Sequence, residues 1–136
     1  MIWKDPLNEL PPVGERVLGV DQLGKMESMT YTGAGYFAPS HRTCDVQFWT
    51  VMDDEFMQGW KLCDGSHEPL MHTILVRDRY GQIRTDFVRK GKKKLRRFAE
   101  CGLEPKDSGL EWREMPDRPK SKYKKPIDLD GKMKEV

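Results

Sequence analysis

The sequence predicts a mainly β chain, with a β-rich α+β arrangement as the variant. Two tandem small antiparallel β-meander units should pack as one pseudo-symmetric globule, followed by an extended C-terminal tail. Three observations carry this expectation. The landmarks of residues 3–26 return 57 positions later, with Trp3/Trp60, Lys4/Lys61, Pro12/Pro69, Leu18/Leu75, Asp21/Asp78 and Gly24/Gly81 identical. In both copies a short apolar run, Val17-Leu18-Gly19-Val20 or Ile74-Leu75-Val76, ends in Asp-x-x-Gly, the pattern of a strand entering a tight turn. A unit of about 57 residues buries only about 60% of its surface and is marginal alone. No Gly/Ser-rich linker separates the copies, so they are expected to shelter one another and not to behave as independent modules.

The elements follow in order. Residues 1–15 contain Leu10-Pro11-Pro12 and Gly14, which favour an extended, turning approach to the first hairpin, with Trp3 folded back as an anchor. After each Asp-x-x-Gly turn a second strand is expected. In the second copy it alternates, with Ile83, Thr85 and Phe87 on one face and Arg84, Asp86 and Val88 on the other; Met26, Met29 and Tyr31 alternate less well in the first. Residues 32–45 read as a loop pinned by Tyr36 and Phe37. A third strand is expected around Trp49 and around Trp112, where Trp, Met and Asp match at an offset of 63, so that the second copy carries about six extra residues in between. The expected units are 1–58, 59–119 with a basic insertion, and a Lys-rich tail over 120–136, which lacks the apolar groups for a core of its own.

The net charge is only +2 but lopsided: residues 1–70 hold 5 Lys/Arg against 11 Asp/Glu (−6), and residues 71–136 hold 19 against 11 (+8). Such polarity serves attraction between the halves or offers one basic face to an acidic partner. Three cysteines are an odd number, Met-Ile-Trp-Lys-Asp-Pro is no apolar leader, and no run approaches transmembrane length. A reduced, cytoplasmic setting without membrane contact is the expectation.

The segment 89–97, Arg-Lys-Gly-Lys-Lys-Lys-Leu-Arg-Arg, carries seven cations in nine positions, and their mutual repulsion favours a use. Two local structures fit it. Leu95, Phe98 and Ala99 have helical spacing with Gly102 as a stop; equally, the segment extends the second hairpin as a basic arm. The candidate binding surface is Arg89, Lys90, Lys92, Lys93, Lys94, Arg96, Arg97 and Phe98, with Arg113 and Tyr123 beside it. No aromatic platform interleaves the lysines, so base stacking has little support. Gly33 and Gly35 do not follow a phosphate-binding fingerprint. Asp53-Asp54-Glu55 reads as a solvated turn before it reads as a metal-dependent hydrolytic centre. His41-x-x-Cys44 and Cys63-x-x-x-His67 have spacings that zinc sites use. The second copy has no equivalent, and ordinary loop histidines, His72 included, and half-buried thiols are expected instead. No metal, cofactor, small-molecule ligand or catalytic residue is assigned.

Trp3, Leu10-Pro11-Pro12, Gly14-Glu15, Val17-Leu18, Gly24 and the closing Trp49 resemble the small domain-of-unknown-function family 551, common in phages and prophages. The second copy is similar at Trp60, Pro69, Ile74-Leu75-Val76, Gly81 and Trp112-Arg113-Glu114-Met115-Pro116. Copy one lacks the family's closing prolines, and copy two lacks the Leu-Pro-Pro-Val-Gly approach. The resemblance implies a phage-associated accessory setting and a small β-rich domain; it carries no settled activity. The expected function is non-enzymatic: binding a host or phage protein, inhibition included, in the host cytoplasm. The alternative is a nucleic-acid-binding accessory protein that uses segment 89–97 and the tail.

Overall fold

The computed structural model describes residues 1–91, 93 and 95–122. In the first copy β1 (Arg16–Asp21), β2 (Met26–Tyr31), β3 (Tyr36–Ala38) and β4 (His41–Arg42) run antiparallel in succession, and β5 (Val46–Val51) returns beside β1. After α1 (Asp54–Met57) and the short β6 (Lys61–Leu62), the second copy repeats the pattern. Its strands are β7 (Ile74–Arg77), β8 (Ile83–Asp86), β9 (Val88–Lys90), β10 (Arg96–Phe98) and β11 (Glu111–Glu114), the last returning beside β7. Each copy is therefore a Greek key, three strands in succession and a fourth returning to the first.

The duplication is legible bond by bond in the two turns. Asp21 Oδ1 accepts from the backbone N–H of Leu23 and Lys25, each at 2.9 Å. Asp78 Oδ1 accepts from Tyr80 and Gln82 at the same 2.9 Å. Gly24 and Gly81 follow at φ +86° and +82° and donate to the Asp21 and Asp78 carbonyls at 3.0 Å. The closing tryptophans match as well, with Lys4 over the Trp49 ring at 5.1 Å and Lys61 over Trp112 at 4.8 Å.

The copies meet where β2 pairs with β8, at Glu27 opposite Arg84. Those two residues are 57 apart, the repeat offset itself, so a pseudo-two-fold axis passes through the pair. Around it lies a shared core built from equivalent residues of both copies: Leu18 with Leu75 and Met26 with Ile83, flanked by Trp3 and Trp60, Met52 and Met115. The opening tryptophans cross over. Trp3 Nε1 donates to the Asp117 carbonyl at 2.7 Å, beyond the second copy's closing strand, and Trp60 Nε1 donates to Phe56 at 3.1 Å, beyond the first's.

On the other face each copy keeps a core of its own. Val17, Met29, Tyr31, Phe37, Val46 and Trp49 fill one; Ile74, Val76, Val88, Phe98, Leu110 and Trp112, with Cys63, fill the other. Neighbouring residues on a strand thus serve different cores, Leu18 the shared one and Val17 the private one, as alternation requires. Residues 32–45, expected as a loop, form the hairpin β3–β4 and a 3₁₀ turn instead; Phe37, wholly buried, pulls them onto the sheet. The tail was expected to begin at 120. Its described start lies along the first copy, with Lys122 bonded to Gln47 and paired with Asp5 at 2.7 Å.

Because the two Asp turns are geometrically alike, Asp21→Ala and Asp78→Ala should each cost about 1 kcal/mol in urea unfolding. A loss at only one of them would show that the turns do not carry equal weight.

Candidate functional site

The basic segment is a hairpin and not a helix. Arg89 stands opposite Arg97 and Lys90 opposite Arg96, and Gly91 donates to the Leu95 carbonyl at 2.7 Å. Val88 pairs with Phe98 as Tyr31 pairs with Phe37. Nine residues lie between the first pair and five between the second. The arm is therefore the β2–β3 connection of the first copy lengthened by four residues, and it accounts for most of the extra length in the second copy. Alternation puts Arg89 and Arg97 on one face of the ribbon and Lys90 and Arg96 on the other.

The candidate residues divide by what holds them. Arg96 donates to the Glu68 carbonyl at 3.1 Å; Arg97 donates to the Gly102 carbonyl at 3.0 Å and pairs with Glu104 at 3.7 Å. Arg89, Lys90 and Lys93 are exposed, with no carboxylate in ion-pair range among the described residues. Like charges opposed across a ladder destabilise it, so the Arg89–Arg97 pair is a cost held in place by the packing beneath it. Lys92, Lys94 and Tyr123 lie outside the described residues.

Two candidates serve the packing: one is fully buried and the other is half-buried between the copies. Phe98 is 1% exposed, at the centre of the second copy's core, because the hairpin turns it inward beside Val88. Arg113 bolts the copies together: its Nη1 donates to the Phe56 carbonyl at 2.8 Å and its guanidinium lies 4.6 Å from the Phe56 ring.

A second polar site surrounds the pseudo-two-fold axis, and the sequence did not announce it. His41 lies between two carboxylates, Nε2 3.6 Å from Asp21 Oδ2 and Nδ1 3.4 Å from Glu27 Oε1. Glu27 Oε1 is buried without a hydrogen bond among the described residues. These groups line a groove of about 450 Å³ that also takes in Arg84. Sharing Lys25, Thr85 and Glu100 with it is a larger cleft of about 620 Å³, within the range of ligand pockets. On its wall Asp86 is 1% exposed. Its Oδ1 accepts from the N–H of Phe87 at 2.8 Å and of Glu100 at 2.9 Å, while Oδ2 accepts no hydrogen bond among the described residues and faces the Arg84 guanidinium at 3.8 Å.

The remaining candidates are accounted for locally. Asp53 caps α1, accepting from Phe56 N at 2.8 Å, with Asp54 and Glu55 in the first turn, where the helix dipole favours carboxylates. His67 pairs with Asp64, Cys44 is exposed and Cys63 is buried. Burial first, then the Glu68 charge, pushes the Cys63 thiol up to about 12, so it is no nucleophile. Among the described residues no three His, Cys, Asp or Glu side chains are grouped to hold a metal ion, and no helix is long and apolar enough to cross a membrane. No family model, curated protein or solved structure matches this chain.

Burial raises the Glu27 carboxyl above its ordinary range; His41 opposes the shift and Asp21 adds to it. A folded pKa above the unfolded one gives stability that is complete below the unfolded value and lost as pH rises through the folded value. Glu27→Gln holds the neutral form. It should leave the urea midpoint near wild type at about pH 4 and raise it at about pH 7. A difference that does not change with pH would contradict the assignment.

Proposed function

We propose that this chain is a non-enzymatic accessory protein that docks the β9–β10 arm onto an acidic surface of a host or phage protein and so modulates its activity, in the host cytoplasm. One observation carries the reading. The second copy carries a four-residue extension of a hairpin that the first copy also has, and the unneutralised Arg89, Lys90 and Lys93 collect on that lengthened hairpin. Duplication leaves one copy to keep the packing while the other acquires a contact surface. Charge of one sign on a protruding ribbon steers and orients an oppositely charged partner. The likeness of both copies to family 551 supports the phage-associated setting.

A nucleic-acid partner is the second reading, favoured by the arrangement of cations on both faces of the ribbon. A two-stranded ribbon of that kind fits between the phosphate walls of a duplex groove. Phe98 is buried, which leaves that reading without an aromatic platform on the described part of the arm.

The test is affinity capture from host lysate with wild-type bait and an Arg89→Glu/Lys90→Glu/Lys93→Glu variant, alongside DNA and RNA titrations across a salt series. The proposal expects a discrete protein that survives nuclease treatment and binds the variant roughly tenfold more weakly or worse. Steeply salt-dependent binding to nucleic acid, lost in the variant, would move the arm to the second reading. Absence of both results would remove the arm as a binding surface.

A further inference from the structure

The residues at the axis are strand partners but not an ion pair. Glu27 and Arg84 stand opposite one another on antiparallel strands, carry opposite charge and point to the same face of the sheet. They form no ion pair with one another among the described residues. Each turns back into its own copy. Arg84 Nη2 faces Asp86 Oδ2 at 3.8 Å. Glu27 Oε1 faces His41 Nδ1 at 3.4 Å, and His41 Nε2 lies 3.6 Å from Asp21 Oδ2. One string of charged groups thus crosses the joint in the order Asp21, His41, Glu27, Arg84, Asp86, and its signs alternate only while His41 is protonated.

The surroundings leave Glu27 with two counter-ions to choose between. The side chains of His41, Asp21 and Glu27 are only 17%, 14% and 28% exposed, so salt screens them weakly. Around His41 stand Asp21 at the end of β1, Lys25 in the turn after it, Glu27 on β2, Arg84 on β8 and Glu100 beyond β10. On its own hairpin the Ser40 hydroxyl lies 3.3 Å from Nδ1. Lys25 is held by Glu100 at 3.9 Å, and Asp21 Oδ1 is taken by its turn. What remains for Glu27 is His41 in its own copy and Arg84 across the joint. Arg84 is always charged; His41 is charged only with two N–H groups, and a neutral imidazole has one donor, for Asp21 or for Glu27 but not for both.

We infer that His41 is a proton-operated switch at the joint between the copies: charged, it holds Glu27 within the first copy; neutral, it releases Glu27 to the Arg84 guanidinium and so adds an ion pair between the copies. The imidazolium donates through both nitrogens and ties β4 to β1 and β2 at once. Loss of its proton leaves Glu27 Oε1, which accepts no hydrogen bond among the described residues, without a cation in its own copy. A buried charge in that position is costly, and its strand partner Arg84 is within reach. Asp86 stays supported in either state, since Oδ1 accepts from two backbone N–H groups and a guanidinium has donors enough for both carboxylates. Imidazoles change charge between about pH 5 and 8, so the switch works in the range that a cell covers. It uses no residue of the β9–β10 arm and stands independently of the docking surface.

The test is NMR on the isotope-labelled full chain, titrated from about pH 5.5 to about pH 8.5. The His41 ring nitrogens report its charge, and nuclear Overhauser contacts from the Arg84 guanidinium report its partner. While His41 is charged, Arg84 should contact Asp86 alone. Contacts from Arg84 to the Glu27 side chain should then appear with the same midpoint as the His41 ring. Glu27→Gln removes the charge that draws Arg84 and should abolish that change while the His41 ring still titrates. His41→Gln cannot take a proton and should show the Arg84–Glu27 contact at every pH where Glu27 is ionised. His72 lines the neighbouring cleft with Asp86, so His72→Gln is the control and should leave the change intact. Arg84 contacts that do not change with pH, a midpoint other than that of the His41 ring, or a pH-dependent change that survives in Glu27→Gln or is lost in His72→Gln would overturn the inference. Wild type and Glu27→Gln decide it even if His41→Gln does not fold.

Discussion

Everything in this molecule depends on two strands from different copies meeting edge to edge at one pair of residues. Glu27 and Arg84 occupy the same position in their respective repeats, and their pairing joins two half-sheets into a single nine-stranded one. The geometry obliges Leu18 and Leu75, and Met26 and Ile83, to face one another across the axis. A Greek key of this size has too little interior to bury both faces of its sheet. The join supplies the missing layer, and the crossed tryptophans Trp3 and Trp60 close its ends.

Symmetry that is broken locally is where the chemistry collects. Gly19 and Val76 are equivalent, as are Met29 and Asp86. In the first copy a Cβ on Gly19 would come within 2.5 Å of the Met29 sulfur, so the large side chain on β2 requires glycine on β1. In the second copy Val76 fills that volume from the other strand, and the shorter Asp86 stands at the Met29 position. The same exchange buries a carboxylate oxygen that accepts no hydrogen bond among the described residues and is balanced by the Arg84 guanidinium at 3.8 Å. Trp112 shows a parallel loss. The indole of Trp49 donates to the Glu9 carbonyl at 2.8 Å in the proline-rich approach. The second copy lacks that approach, and the Trp112 indole N–H is buried with no acceptor among the described residues. Buried polar atoms without a hydrogen bond cost stability and mark where the second copy departed from the packing of the first.

The sequence made the architecture legible because β-hairpins are local. Asp-x-x-Gly, the apolar runs before it and the constant offset all reside within a few residues of one another, and each appears in the fold where expected. Two things were not legible. Tyr36-Phe37-Ala38 looked like loop because three-residue strands have no periodicity to detect; only the burial of Phe37 between β2 and β4 makes them strands. The His41–Glu27–Asp21 cluster and the cleft at Thr85 join residues brought together by the axis, and no local pattern announces such a meeting. Phe98 misled in another way. Its neighbours are cations, and its inward turn follows from pairing with Val88, a register that composition does not reveal.

The central claim is that the two copies share one core and unfold as one unit. Native-state hydrogen exchange on the Leu75→Ala variant tests it most directly. A core leucine truncated to alanine costs about 2–5 kcal/mol. In a shared core that loss is predicted to lower protection of the Leu18 and Val20 amides in β1 as much as that of the β7 amides. Protection lost in β7 and β8 alone, with β1 and β2 unchanged, would contradict the account and leave two separate modules in its place.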